Sequence, residues 1–345
     1  MKALAIRDYQ TGTLQPLELP SPPAPSSGQV QLSLLGTSLN PFDSKMARGY
    51  GAQLFNRKLN FPIVLGRDAV ARVEMIGKGV TGLEVGQRVL VASSARTGGT
   101  YADYFNLPAR CLAPIDDNRL TDTIASGLGY AGLTAIQALA AVGLTATTAK
   151  GRHLCINGAS GGVGSIALVL ASSWGAKVTA TASARNLNWV RSLADCTAID
   201  YRDTQAFHYI YAEKIVNFAS APSPDIENRL ISILQRTSTP GRAYATSVTP
   251  LLSEVTEKGL LKGFLYGGAT LARKRIQYQR QGIRYRWVLL KDNSAHLTEL
   301  AGLFSQIPDT NIIGRASPIS ALEVTYNRQD QAGNPGKSVF LEGSL

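Results

Sequence analysis

Residues 156–186 read INGASGGVGSIALVLASSWGAKVTATASARN, and how this stretch is read decides the fold. Four glycines fall in the seven positions 158–164, and a long apolar run follows them. A strand, a glycine turn and a helix in that order let bare backbone approach a pyrophosphate at the helix start. The same letters fit a second pattern. Gly158-Ala159-Ser160-Gly161-Gly162 matches G-x-S-x-G, the nucleophile elbow of a hydrolase. The two patterns predict different enzymes.

Set against G-x-G-x-x-G, Ala159 takes the first place, Gly161 the second and Gly164 the third. Gly161 then admits the pyrophosphate, and Gly164 lets the helix pack against the strand. Ala159, Ser160, Gly161, Gly162, Val163 and Gly164 are the expected phosphate turn. A second strand ends near Ser183, where the ribose-reading residue belongs. The stretch there, ATASARN, has no carboxylate. A carboxylate would repel a 2′-phosphate, whereas Ser183 can donate to one and Arg185 can pair with it. The expected cofactor is NADPH rather than NADH. The elbow needs a later acid and then a histidine. His153 precedes Ser160, but His208 follows Asp203 and His296 follows Asp292, so order alone leaves a triad open. The elbow has no use for Gly164 and leaves a strand-rich first hundred residues unexplained, so the dinucleotide reading is preferred. His153 and Cys155 share a strand face, but one such pair is not a zinc site. No metal is expected.

Working outward, the chain has 345 residues, enough for two domains. Its hydrophobic share of 44% and charged share of 17% describe a soluble globular protein. No apolar run approaches the roughly 18 uncharged residues of a membrane span. The start, MKALAIRDYQ, lacks the pattern of a secretory signal, and a cytoplasmic address is expected. Three scattered cysteines, Cys111, Cys155 and Cys196, argue against a disulfide framework. The net charge is +11, and much of the excess falls in ARKRIQYQRQGIRYR, residues 272–286. Such a run suits nucleic acid, an anionic surface or an anionic small molecule. No nucleic-acid motif accompanies it, and neither nucleic acid nor membrane is expected as a partner.

Up to about residue 115 the pattern is short strands and turns. From about residue 123 apolar strands alternate with helices, the rhythm of a doubly wound parallel sheet. The expected fold is α/β, with a Rossmann dinucleotide-binding domain at 123–292. An irregular β-rich, GroES-like catalytic domain is expected from 1–122 and 293–345. Asn217 and Ser247 fall at carboxyl ends of predicted strands, where open α/β sheets bind ligands. Residues 251–282 are helix-prone, basic and longer than a plain connection.

These features, with MKALAI, SLNPFDSKMARG (38–49), FPIVLGRDAVARVEMIGKGVTGLEVGQRVL (61–90), GTYADY (99–104), GLTAIQAL (132–139), AIDY (198–201) and GKSVFLEG (336–343), occur in family order. The chain resembles the medium-chain dehydrogenase/reductase superfamily, in its zinc-free quinone oxidoreductase-like branch. Where the zinc alcohol dehydrogenases carry a cysteine ligand this chain has Asn40, and for their Gly-His-Glu it has Gly66-Arg67-Asp68. The resemblance implies Asn40 and Asp43 beside the nicotinamide, Asn40 toward a substrate carbonyl and Asp43 as proton relay or loop support. It places Tyr50 at the pocket mouth, Thr134 near the cofactor and Tyr201 near the adenosine, with Lys45 and Arg48 structural. It also implies a homodimer acting on a small-molecule substrate. The expected function is NADPH-dependent hydride transfer to a quinone or an α,β-unsaturated carbonyl. Reduction of an enoyl thioester and a non-catalytic NADPH sensor are the alternatives.

Overall fold

The computed structural model describes residues 1–56, 58, 60–115, 118–219, 224–307, 310–328 and 334–341. The chain divides into two compact units, Met1–Leu133 with Leu290–Leu345, and Thr134–Leu289.

Among its described residues the second unit holds six strands: β1 (His153–Asn157), β2 (Lys177–Ala182), β3 (Thr197–Asp200), β4 (Lys214–Asn217), β5 (Ala243–Thr246) and β6 (Arg284–Trp287). All pair in parallel, in the order β3-β2-β1-β4-β5-β6. This is the doubly wound Rossmann order, with β1 at the point where strand order reverses. The glycine turn follows β1 and leads into α1 (Gly162–Ser173), where Gly164–Ala171 are buried without interruption. A helix apolar on every side belongs in a core, which is why this run reads without a polar face.

The long basic segment becomes two helices, α2 (Leu251–Lys258) and α3 (Leu260–Gln279). They meet at Gly263, where a Cβ would overlap the Val255 backbone. Leu271 and Tyr278 of α3 pack into the apolar core with Tyr244 and Tyr285.

Among the described residues, the first unit contains a seven-stranded sheet. Ile313–Pro318, Lys337–Leu341, Gln29–Ser38, Asp68–Ile76, Arg88–Ala92 and Leu112–Pro114 follow one another across it, and Tyr104–Pro108 pairs with Gln29–Ser38. The tail thus rejoins the β-rich part, with Val339 opposite Ser38. The helix Asp122–Ala141 is one place where expectation and structure differ. The compact units divide within it rather than ahead of it. Its first half is fastened to the β sheet, since a Cβ at Gly129 would overlap the Val91 carbonyl oxygen. It is also long and apolar enough by composition to cross a membrane, with 72% of its apolar window buried. The expectation that no apolar run approaches a membrane span is corrected to that extent, because residues 123–141 carry no charge. A largely buried helix of this composition is a core helix.

Two glycines of α3 separate packing from propensity. Nothing lies within 4 Å of a Cβ added at Gly268, so Gly268→Ala is expected to stabilise by about 0.5–1 kcal/mol. Gly263→Ala gains the same propensity but must push α2 away, and a net loss of about 1–3 kcal/mol is expected. Urea unfolding of the two variants checks the opposite signs.

Candidate functional site

In the second unit the carboxyl edge of the parallel sheet gathers the expected cofactor residues. Gly158–Gly164 follow β1, Ser183 and Arg185 follow β2, Tyr201 follows β3, Asn217 ends β4 and Ser247 follows β5. The main chain ties them together. The Ala159 N–H donates to the Thr181 carbonyl at 2.9 Å, the Tyr201 N–H to the Ala182 carbonyl at 3.0 Å and the Ser247 N–H to the Asn217 carbonyl at 3.3 Å.

The turn residues do different jobs. Gly158 has φ 82°, a left-handed conformation natural to glycine. A Cβ at Gly164 would overlap the Gly158 carbonyl oxygen, so helix and turn require that glycine for contact. At Gly161 a Cβ would meet only the Gly158 oxygen, at 3.5 Å. Among the described residues, Gly161 is thus not a glycine for the sake of packing, unlike Gly164. Gly161 is the N-cap of α1 and provides no side-chain cap. The N–H groups of Gly162, Val163 and Gly164 therefore begin the helix without an intrahelical carbonyl, at the positive end of its dipole. The amides of Ala159 and Gly161 are already engaged, the latter by the Gly158 carbonyl at 3.1 Å. The residues fit a dinucleotide, held by fewer amides than the motif suggested.

Beneath the turn runs a buried string of side-chain hydrogen bonds across β2, β1, β4 and β5. The Thr181 hydroxyl donates to Asn157 Oδ1 at 2.6 Å. Asn157 Nδ2 donates to Asn217 Oδ1 at 2.8 Å, and Asn217 Nδ2 donates to the Tyr244 hydroxyl at 3.0 Å. Asn217 also accepts the Ala219 N–H at 3.1 Å. Its amide is thus turned into the sheet, where it shapes the site's floor. Burial pushes the Tyr244 phenol well above its ordinary range. Sequence reasoning missed Asn157, Thr181 and Tyr244. Thr181 and Asn217 pair with Asn157 at one register of the adjoining strands, whereas Tyr244 stands opposite Ile215 and reaches Asn217 from two residues away.

The hydrolase pattern finds no base here. Ser160 Oγ accepts from Asn186 Nδ2 at 3.3 Å. His153 sits at the other end of β1 against Tyr211, with ring centroids 4.8 Å apart, and His208 is exposed. Thr134 is buried in the helix Asp122–Ala141.

In the first unit Asn40 and Asp43 belong to a buried charged cluster. Asn40 caps the short helix Pro41–Ala47. Its Nδ2 donates to Asp68 Oδ2 at 3.0 Å, and its Oδ1 accepts from Lys337 Nζ at 2.7 Å. Lys337 Nζ also reaches Asp68 Oδ2 at 2.7 Å and the Leu39 carbonyl at 3.2 Å, so all three of its protons are used. Asp68 further accepts from the Ser38 hydroxyl at 2.7 Å and from the Tyr130 N–H. Asp43 accepts the N–H groups of Asn40 and Gly66 at 3.2 and 3.1 Å, and the Tyr101 hydroxyl at 3.3 Å. Arg67 Nε lies 3.6 Å from it. Burial raises the Asp43 carboxyl above its usual range, against the pull of Arg67. In this arrangement Asn40 and Asp43 position the loop, and their side chains are engaged by protein. Tyr50 is different. With Tyr9, Met46, Phe55, Ile63 and Arg67 it lines a cavity of about 210 Å³. Lys337 and Tyr101 were not singled out from sequence. A lysine inside an apolar terminal strand was the available signal for the first.

Comparison with known proteins agrees with this geometry. Residues 26–117 match the alcohol dehydrogenase GroES-like domain. NAD(P)H oxidoreductase RTN4IP1, mitochondrial, of Mus musculus is 30% identical over 323 residues, which cover 90% of this chain and 81% of that one. The Drosophila melanogaster protein of the same name is 31% identical over 336 residues, covering 91% and 79%. The quinone oxidoreductase of Coxiella burnetii has the same fold, with a TM-score of 0.79 at 23% identity over 99% of both chains. The relatives' names correct the cytoplasmic address expected from sequence, since both are called mitochondrial. The chain is therefore an oxidoreductase and belongs to the medium-chain dehydrogenase/reductase superfamily, in its quinone oxidoreductase-like branch.

Proposed function

We propose that the protein is an NADPH-dependent reductase of quinones or of alkenes conjugated with a carbonyl. The observation that carries the cofactor reading is the end of β2. Ser183 and Arg185 follow it beside the glycine turn, and no carboxylate stands among residues 180–186. An acid there would repel the 2′-phosphate of NADPH. The relatives named NAD(P)H oxidoreductases support the nicotinamide class without choosing between its two forms.

When bound, the nicotinamide supplies the hydride. The amides of Gly162, Val163 and Gly164 hold the pyrophosphate, Ser183 and Arg185 take the ribose phosphate, and Tyr201 flanks the adenosine. The cavity beside Tyr50 receives the acceptor. Its aromatic and thioether walls suit a planar ring. The guanidinium of Arg67 at the same wall favours negative charge growing on an acceptor oxygen. The acceptor's proton comes from solvent, because the Asp43 carboxyl is sealed among its partners.

The reading includes no zinc. At the positions corresponding to zinc ligands stand an amide, a guanidinium and a carboxylate that already holds an ammonium. Zinc takes thiolate, imidazole and free carboxylate, and this donor set does not fit it. Reduction of a quinone or enone makes little demand for a Lewis acid. Membership of an oxidoreductase family sets aside the non-catalytic sensor.

Loss of nicotinamide absorbance with a quinone panel and an enone panel tests the reaction, and turnover with NADPH in at least one panel is expected. Tight NADPH binding without any turnover would overturn it. Ser183→Asp is expected to weaken NADPH binding about 10- to 100-fold, as loss of a charge-assisted contact does, and to leave thermal stability unchanged. Calorimetric titration with NADPH and NADH reads this directly. Lys337→Met strands the buried Asp68 carboxylate and is expected to cost about 3–5 kcal/mol in stability. Adding Asp68→Asn to it should recover much of that loss in urea unfolding.

A further inference from the structure

Helix α3 carries two apolar stripes. Gly263, Gly267, Leu271 and Tyr278 face the protein, buried or half-buried. Leu261, Leu265, Gly268, Ala272 and Ile276 recur at helical spacing along another face, and all are exposed. Leu261 is 75% exposed, Leu265 64% and Ile276 55%, with Phe264 and Tyr266 exposed beside them. A surface helix with one side in the core ordinarily presents polar residues on the other. A continuous stripe of this kind marks an interaction surface.

The charge around the stripe narrows the partner. From Gly259 to Leu289 the chain has seven Lys and Arg residues and no Asp or Glu. Lys262, Arg273 and Arg275 flank the stripe on α3 itself. Arg273, Ile276, Gln277, Arg280 and Gln281 line a shallow groove of about 400 Å³. Arg273 and Arg280, about two turns apart, share one side of it. Neither is paired with an acidic side chain among the described residues. Lys274, by contrast, is held by Glu227.

We propose that α3 docks the protein onto an anionic phospholipid bilayer. The Leu261–Leu265–Ile276 stripe enters the acyl boundary, and Arg273 and Arg280 take headgroup phosphates. Interfacial helices combine an apolar face with flanking basic residues in this way and need no spanning run. Exclusion of a membrane partner on the absence of such a run therefore does not reach this surface. A second copy of the chain fits the surface less well, because it would set the cations of 259–289 against each other with no carboxylate in that stretch, those of α2 being Glu254, held by Lys258, and Glu257. The proposal does not rest on the reductase reading.

Flotation of the full chain with pure phosphatidylcholine vesicles, and with vesicles containing phosphatidylglycerol, tests it. Leu265→Ser/Ile276→Ser and Arg273→Glu/Arg280→Glu variants with wild-type thermal unfolding run alongside. The wild type is expected to float only with anionic vesicles and to be released by salt. Both variants should bind at least about tenfold more weakly, the charge-reversed one also losing its salt dependence. Failure of the wild type to float, equal flotation on neutral vesicles, or charge-reversed protein that floats like wild type would overturn the proposal. So would a wild-type dimer in sedimentation that the serine variant converts to monomer, which would assign the stripe to a second copy.

Discussion

Two full charges, Asp68 and Lys337, are buried in contact in the first unit, at 0% and 4% side-chain exposure. Removing such ions from water costs several kcal/mol each, and their attraction offsets this only when every remaining lone pair and proton is met. That requirement organises the surroundings. Ser38, Asn40 and the Tyr130 N–H complete the carboxylate, while Asn40 and the Leu39 carbonyl complete the ammonium. The residues come from the strand Gln29–Ser38, the loop before Pro41, the start of Asp68–Ile76, the long helix and the last strand. One ion pair thereby fixes the register of segments far apart in the chain. It also sets the shape of the loop that leads to Tyr50.

The second unit meets a similar demand without charge. Thr181, Asn157, Asn217 and Tyr244 link four neighbouring strands through side chains inside an apolar sheet. An unpaired amide at that depth would be costly, so each of these residues holds its neighbour in place. The consequence is a rigid floor under the glycine turn. Among the described residues, a Cβ at Gly161 would meet only the Gly158 carbonyl oxygen, at ordinary contact distance. The two sites share a logic: buried polar groups fix the loop above them.

The basic α3 follows a different rule. Its inner stripe is made of glycines and aromatics because α2 and the core approach closely. Its outer stripe has no such reason within the unit. One helix thus has to satisfy the protein on one side and a partner on the other, and this explains a sequence that is apolar at too many positions for a single amphipathic face.

Much of this was legible beforehand. Alternating strands and helices determined the doubly wound sheet. Gly164 marked the strand-to-helix turn, because close packing of helix on turn acts at a few positions within short reach. Asn40 and Asp43 were found as residues but not as partners of Lys337, Arg67 and Tyr101. Asn217 was found as a strand end but not as a link in a chain of side chains. The break between units was placed at a change of rhythm, whereas packing at Gly129 carried it into the helix. Local pattern thus determined the elements, their order and the glycine turn. Tertiary structure alone decided which polar groups face each other, because a hydrogen bond or ion pair depends on distance in space, and residues 40, 68 and 337 carry no local mark of meeting.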